Sequence, residues 1–178
     1  NSRAKLLNAL LTSDLEPNLG LTGTGQEVSI MRSTLIQTGI IDNMTEAPSI
    51  VATPDDENIR HLLNTIQDFF ADAGTNGEQN FEVIYNRLTK PEFGIGMKLG
   101  VIPIYIALVI HQNRNNLVIK KGDSEQKISA ELLNAINETP DRYSVVLENW
   151  NDDKAAYMAQ LEQLFEKNVH EQEKVYNN

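Results

Sequence analysis

The sequence predicts a mostly helical α+β fold in which a winged-helix-like half, at about residues 80–148, packs against a helical half. Apolar residues recur at helical spacing through most of the chain. Residues 101–110 form an apolar run without a charged side chain, which is typical of a buried helix. Residues 117–128 then have the pattern of a hairpin edged by lysines. Two helices followed by a hairpin tipped with lysines form the pattern of a winged-helix unit.

The composition excludes several classes of site. The chain has 178 residues and no cysteine, so we exclude a disulfide scaffold, a thiolate metal site and a cysteine nucleophile. Its 25 acidic and 15 basic side chains give a net charge of -10. This charge disfavours nonspecific attraction to phosphate backbones and anionic lipids. Any contact with nucleic acid therefore has to be local.

The apolar run is also too short to cross a membrane. Residues 101–110 provide half of the roughly 20 apolar residues that a spanning helix needs. The sequence shows no charged start, apolar stretch and cleavage site of a secretion signal, so we expect a cytoplasmic protein without a membrane partner. A start at Asn1 and a polar end at residues 176–178 suggest a fragment of a longer polypeptide.

The N-terminal helical half, about residues 1–78, is predicted to hold three helices. Apolar positions predict one helix near residues 4–11 and a second at 26–38, closed by Gly39. Residues 41–53 show no periodic spacing of apolar residues and are predicted to form a connection. Thr53 as N-cap and Pro54 as first helical residue, followed by carboxylates, predict the start of the third helix.

The winged-helix-like half, about residues 79–150, is predicted from alternating helix and strand signals. A helix through Phe81 and Leu88 precedes the apolar helix, which we place at about residues 101–113. The remaining predicted elements are a strand at 117–120, a turn at 122–123, a return strand at 126–128, a helix at 129–138 and a strand at 143–147. A C-terminal helix at about 151–170 closes a single domain of residues 1–178.

No catalytic, cofactor-binding or metal-binding residue is predicted. The glycine-bounded loop at residues 20–25 could cradle an anion, but it has no lysine of a phosphate loop, and a tight turn explains it better. His61, His111 and His170 lack a second ligand at a recognised metal spacing. A small enzyme would require a cleft that gathers His61 or His111 with carboxylates.

The candidate DNA contact is the basic hairpin. Residues 97–149 are the only segment with balanced charge, and within it Arg114, Lys120, Lys121 and Lys127 surround the predicted hairpin. Basic wing residues of this kind can touch a phosphate backbone. The alternative is that lysines on a hairpin edge protect it against aggregation, and the acidity of the whole chain favours this alternative.

Residues 94–104, 117–123 and 137–146 together resemble a segment of large P-loop ATPases from bacterial anti-phage defence loci, of the BREX and phage-growth-limitation type. In that family a G-x-x-x-G-x-x-P pattern leads into an apolar helix, a strand and turn, a helix, and a P-x-R/D-[FY] step into another strand. Residues 140–143, Pro-Asp-Arg-Tyr, match that step. Residues 19–23 ahead of 27–29 are also similar, so that the resemblance covers about two thirds of the chain.

The resemblance implies a non-catalytic accessory or interaction domain of a larger ATPase. The chain departs from the family because it has no Walker A lysine motif, so nucleotide hydrolysis is not carried over to it. The implied partners are the remainder of the parent polypeptide or other proteins of a defence complex, with DNA as a candidate. The alternative function is a protein-interaction scaffold that uses acidic helices, such as residues 55–72, and binds no nucleic acid.

Overall fold

The computed structural model of the chain describes residues 1–51, 53–112 and 116–148. These residues form a mostly helical α+β fold, as the sequence predicts. The helices are α1 (Ser2–Leu10), α2 (Gln26–Met31), α3 (Glu57–Thr75), α4 (Phe81–Thr89), α5 (Ile102–Gln112) and α6 (Ala130–Glu138). The strands are β1 (Ile41–Asp42), β2 (Ser49–Ile50), β3 (Gln79–Asn80), β4 (Leu117–Lys121), β5 (Ser124–Gln126) and β6 (Tyr143–Leu147).

Helix α5 lies at the centre of the hydrophobic core, as predicted. Every residue from position 102 to 110 is buried, because apolar side chains surround nearly the whole helix. Pro103 lies in the first turn, where no intrahelical amide donor is needed. The helix packs against α1, α3 and α6, so one core joins both predicted halves. In the described part of the chain, no helix combines the length and apolar character needed to cross a membrane.

Four strands form an antiparallel sheet in the order β3-β6-β4-β5. Strand β6 follows α6 in the chain but lies between β3 and β4. Ile119 pairs with Val145 on one side and with Gln126 on the other, and both apolar residues face the core. Because side chains alternate along a strand, this register places Lys120 and Lys121 on opposite faces of the sheet.

The start of α3 differs from the prediction. Asp56, and not Thr53, is the N-cap, because its Oδ1 accepts from the amides of Asn58 at 2.8 Å and Ile59 at 3.1 Å. Pro54 therefore lies outside the helix, where its carbonyl oxygen accepts from Arg60 at 3.0 Å. The Asp56 carboxylate is nearer to the first free amides of the helix than the Thr53 hydroxyl is. Asp56 therefore caps α3, and Thr53 does not.

Two further boundaries also differ. The return strand is residues 124–126 and not 126–128, because Gly122 and Asp123 form a two-residue turn that places Ser124 opposite Lys121. Gly122 has φ +60°, which that turn requires. The predicted connection at 41–53 contains the paired strands β1 and β2.

The second predicted helix is present in two parts. Helix α2 continues into a π-helical turn, Arg32–Ile36, before Gly39 at φ +72° ends it. The predicted helix at 151–170 lies outside the described residues. The winged-helix assignment of the second half stays a prediction.

Candidate functional site

The predicted lysines of the hairpin do not share one face. Lys120 lies on the outer face of the sheet, where its Nζ is 3.8 Å from Glu78 Oε1. Lys121 lies on the same side as Ile119, with its Nζ 5.7 Å from the centre of the Tyr143 ring. Adjacent residues of a strand point to opposite faces, so these two cations diverge. Lys127 is exposed beyond the end of β5, and Arg114 lies outside the described residues.

Carboxylates accompany the hairpin lysines. Glu125 is directly opposite Lys120 in the register, and Asp123 is in the turn. The Lys120 pair with Glu78 is exposed, and such a pair contributes only about 0–1 kcal/mol. Lys120 can therefore exchange its partner at little cost. The hairpin is weakly basic, with three lysines and two carboxylates between positions 120 and 127.

The histidines are in different environments. His111 Nδ1 is 2.9 Å from the carbonyl oxygen of Leu10, so this imidazole links the end of α5 to α1. His61 is exposed on α3. His170 lies outside the described residues. Among the residues that the structure describes, no three histidine or carboxylate side chains are grouped in a way that could hold a metal ion.

The glycine-bounded loop before α2 is occupied by the protein's own carboxylate. A Cβ built on Gly25 would lie 2.7 Å from both carboxylate oxygens of Glu27, so this carboxylate covers the N-terminus of the helix. Lys5 Nζ lies 3.5 Å from Glu27 Oε1. A hydrogen bond from its own backbone amide, followed by the charge of Lys5, holds the pKa of Glu27 below its usual value. These contacts favour the tight turn over an anion cradle.

Sequence reasoning missed an open depression of about 230 Å³ between α3, α4 and the segment that follows α4. It is lined by His61, Thr65, Asp68, Arg87, Phe93 and Ile95. The three residues from α3 lie at i, i+4 and i+7, and thus on one face of the helix. The depression brings one imidazole and one carboxylate to the same surface, which meets part of the requirement for the enzyme alternative.

Phe93 forms one wall of this depression on a well-defined segment. The 3₁₀ turn Pro91–Phe93 ends at Gly94, whose φ of +81° favours glycine. The amide of Met97 donates to the carbonyl of Leu88 at 2.7 Å and ties the segment back to α4. An aromatic residue between a proline and two glycines is the sequence signal that could have identified this exposed segment.

The two large apolar side chains exposed in the described residues both lie between the end of α4 and the start of α5. Phe93 is 47% exposed, and Leu99 is 53% exposed. Phe93 lines the depression, whereas Leu99 does not.

The titratable side chains that line the depression are the Asp68 carboxylate, the Arg87 guanidinium and the His61 imidazole, and Asp72 lies outside the lining. Arg87 Nη1 is 4.0 Å from Asp72 Oδ2. Desolvation, and then the negative charge of Asp72, raises the pKa of Asp68, while Arg87 acts in the opposite direction. Asp68 therefore lies in surroundings that disfavour its negative charge, and an added cation would stabilise that charge.

A second open cavity, of about 690 Å³, lies beside the β1–β2 pair and the start of α3. Asp42, Thr53, Asp55 and Asp56 are among its lining residues. The Thr53 hydroxyl is buried without a hydrogen-bond partner. The carboxylate of Asp56 is engaged in capping α3, and Asp42 Oδ1 accepts from the amide of Asn43 at 2.7 Å.

Comparisons of the chain with protein-family models, with curated proteins and with solved structures found no match.

Proposed function

We propose that this chain is a non-catalytic accessory domain of a larger bacterial P-loop ATPase in the cytoplasm, and that its β4–β5 hairpin contacts duplex DNA. One observation carries the DNA contact: β5 is an edge strand of the sheet, and Lys121 and Lys127 are exposed around it. The likeness of residues 94–104, 117–123 and 137–146 to defence ATPases supports the accessory role.

The geometry limits the contact to a few phosphates. Lys120 points to the opposite face from Lys121, so one backbone strand of DNA cannot meet both in the same way. The contact is local and weak, since the rest of the chain is acidic. Two or three phosphate contacts would give a log–log salt slope of about -2 to -3.

Fluorescence anisotropy with a short labelled DNA duplex tests this function. We expect the chain to bind at low salt, and the charge reversal Lys121→Glu with Lys127→Glu to abolish binding. The matched control reverses the exposed Lys90 and Lys98, outside the hairpin, and should retain most of the affinity. Equal and negligible binding by all three proteins would remove the DNA contact.

A second candidate function is protein recognition through acidic helical surfaces, without nucleic-acid binding. The carboxylates on both sides of Lys120, from Glu78 and Glu125, favour it because they oppose a phosphate at that position. The exposed Phe93 beside Asp68 favours it as well. Salt-sensitive binding to duplex DNA distinguishes the first function from the second.

The depression at His61 and Asp68 does not favour an enzyme. Its volume of about 230 Å³ is below the roughly 300–1,000 Å³ of typical ligand pockets, and it is open to solvent. His111, the other candidate base, contacts the backbone of α1 instead.

A further inference from the structure

We infer that strand β5 pairs with β5 of a second copy of this chain, antiparallel about a twofold axis at Gln126. The pairing joins the four-stranded sheets of the two copies into one continuous sheet. This inference goes beyond the proposed function and does not depend on the DNA contact. It is carried by the open edge of β5 and by the order of charges along that edge.

Strand β5 has one open edge. The described sheet has the order β3-β6-β4-β5, so β5 pairs with β4 on one side only. Residues 121–125 and Lys127 are exposed. Within the part of the chain that the structure describes, no helix or loop makes a hydrogen bond to the backbone of Glu125 or Lys127. The unpaired backbone groups of such an edge are a template for another strand.

The register of the hairpin decides which backbone groups face the open edge. The turn at 122–123 has two residues, so the pair that closes it, Lys121 with Ser124, is hydrogen-bonded. Hydrogen-bonded and non-hydrogen-bonded pairs alternate along an antiparallel ladder. The next pair, Lys120 with Glu125, therefore makes no backbone bonds within the hairpin. The amide and the carbonyl of Glu125 point away from β4, to the open edge.

Lys127 continues the same row of backbone groups. It lies two residues after Glu125, and Ser129 beyond it is still extended, with φ -155° and ψ 167°. In an extended segment, residues two positions apart direct their backbone groups and their side chains to the same side. With a twofold axis at Gln126, the backbone of Glu125 in each copy faces that of Lys127 in the other. Each outward amide then has a carbonyl as its partner.

The charges along the edge select an identical strand in this register. With the axis at Gln126, Glu125 of each copy lies opposite Lys127 of the other. Opposite charges that face each other across an antiparallel pair stabilise it, whereas like charges destabilise it. An axis at Glu125 would oppose two glutamates, and an axis at Lys127 would oppose two lysines. Edge lysines usually prevent pairing, but here a glutamate in the same row offers each lysine an opposite charge.

The second copy also meets the least acidic part of the chain. In the described residues neither Glu125 nor Lys127 is in a salt bridge. Glu125 is opposite Lys120 within the hairpin, and Lys127 of the second copy would flank it on the other side. Residues 97–149 have balanced charge, so two chains of net charge -10 repel each other least where their hairpins meet.

An interface of this size is weak. It uses the outward groups of two residues in each strand, which is far less than the roughly 800 Å² per partner of a stable complex. The gain must also offset the translational and rotational freedom that two chains lose when they associate. We therefore expect a monomer at micromolar concentration and a dissociation constant on the order of 1 mM for the dimer.

NMR spectroscopy of the full ¹⁵N-labelled chain, without nucleic acid, tests the pairing. We expect the amide signals of Glu125 and Lys127 to shift, and translational diffusion to slow, as the concentration rises through the millimolar range. Hydrogen exchange at these two amides should slow in the same samples. Exchange at Ser124 and Gln126 should not change, because their amides face β4 in the single chain.

Charge reversals identify the partner strand. Glu125→Lys and Lys127→Glu should each weaken self-association about tenfold, because each places like charges opposite each other twice. The double variant, Glu125→Lys with Lys127→Glu, should associate as the native chain does. Glu92→Lys and Lys98→Glu make the same charge changes at exposed positions outside the hairpin and should leave self-association unchanged.

A mixture of the two single variants gives the sharpest test. In a mixed dimer, the two lysines of the Glu125→Lys chain face the two glutamates of the Lys127→Glu chain. We expect the mixture to associate at least as strongly as the native chain, although neither variant does so alone. The substituted positions are exposed, so the dispersion of each NMR spectrum verifies that the variant is folded.

Three results would overturn the inference. The first is a native spectrum that does not depend on concentration, and the second is self-association that either single reversal leaves unchanged. The third is a mixture that associates no better than its components. The DNA contact is measured separately, at micromolar concentrations where the chain is monomeric, so either proposal can fail while the other stands.

Discussion

The phenolic oxygen of Tyr105 donates a hydrogen bond of 3.1 Å to the carbonyl oxygen of Thr34. The bond links the central helix α5 to the π-helical turn that continues α2. Tyr105 is only 5% exposed, so its hydroxyl would be costly to bury without this partner. The Thr34 carbonyl accepts a second bond, from Thr38 Oγ1 at 2.8 Å. One hydroxyl within an apolar helix thus adds a polar link to a segment that also packs Met31 and Leu35 into the core.

The change Tyr105→Phe should destabilise the protein by about 1 kcal/mol, the usual contribution of one hydrogen bond. The loss of stability should be at the low end of the range for one hydrogen bond, because the Thr34 carbonyl keeps its bond from Thr38. Urea unfolding of the two proteins measures it. A loss above about 3 kcal/mol, a value typical of a cavity in the core, would show that the phenol does more than donate this bond.

Stability should fall at alkaline pH through Tyr85. Burial raises the pKa of its hydroxyl above 10. The unfolded chain therefore loses this proton first, and the stabilisation that is complete below about pH 10 declines as pH rises through the folded-state pKa. The decline is at most about 1.4 kcal/mol per pH unit for one tyrosine.

Comparison with Tyr85→Phe isolates this effect. The variant loses the hydrogen bond of 2.8 Å to Asn137 Oδ1, so it is less stable at neutral pH. Its free energy of unfolding should nevertheless depend less on pH between about pH 9 and about pH 11. Parallel pH profiles for the two proteins would mean that Tyr85 ionises equally well in the folded chain.

Removal of the Thr53 hydroxyl, which is buried without a hydrogen-bond partner, should stabilise the protein. Thr53→Val keeps the shape of a buried side chain and removes an unsatisfied donor, so it should raise the free energy of unfolding by about 1 kcal/mol. Thr34→Val is the matched control. The Thr34 hydroxyl donates to the carbonyl of Ile30 at 2.6 Å, so its removal should lower the free energy of unfolding. Chemical denaturation measures both free energies of unfolding. Equal losses of stability in the two variants would mean that the Thr53 hydroxyl does have a hydrogen-bond partner.

The central position of α5 predicts a large cost for Ile106→Ala. Ile106 is 1% exposed, and the cavity left by its truncation should lower the free energy of unfolding by about 2–5 kcal/mol. Leu99→Ala, just before the helix and 53% exposed, should change it by no more than about 0.5 kcal/mol. Similar small losses for both residues in thermal or urea unfolding would contradict the position of the helix in the core.

Local patterns explain the parts of the fold that were predicted. The spacing of Ile59, Leu62 and Phe69 places them on one face of a helix wherever that helix packs, so α3 could be predicted without its neighbours. The buried character of α5 likewise follows from its own composition. The end of α4 also follows from a local signal, Pro91. The predicted start of α3 at Thr53 was wrong because Asp56 can also cap a helix, and its carboxylate is the one that reaches the first amides in the folded chain.

The candidate surfaces depend on contacts between distant residues, and the sequence does not specify these. Four lysines and arginines near one hairpin look like one basic patch in the sequence, but the register with β6 places Lys120 and Lys121 on opposite faces and brings Glu78 to Lys120. The depression needs Asp68 from one helix, Arg87 from the next and Phe93 from the segment after it. The sequence by itself determined the helices, their buried faces and the net charge, since each follows from near neighbours along the chain. Only the packing of α3 against α4 and the pairing of the strands decided which charged and apolar side chains share a surface, because that depends on distances between residues that are far apart in sequence.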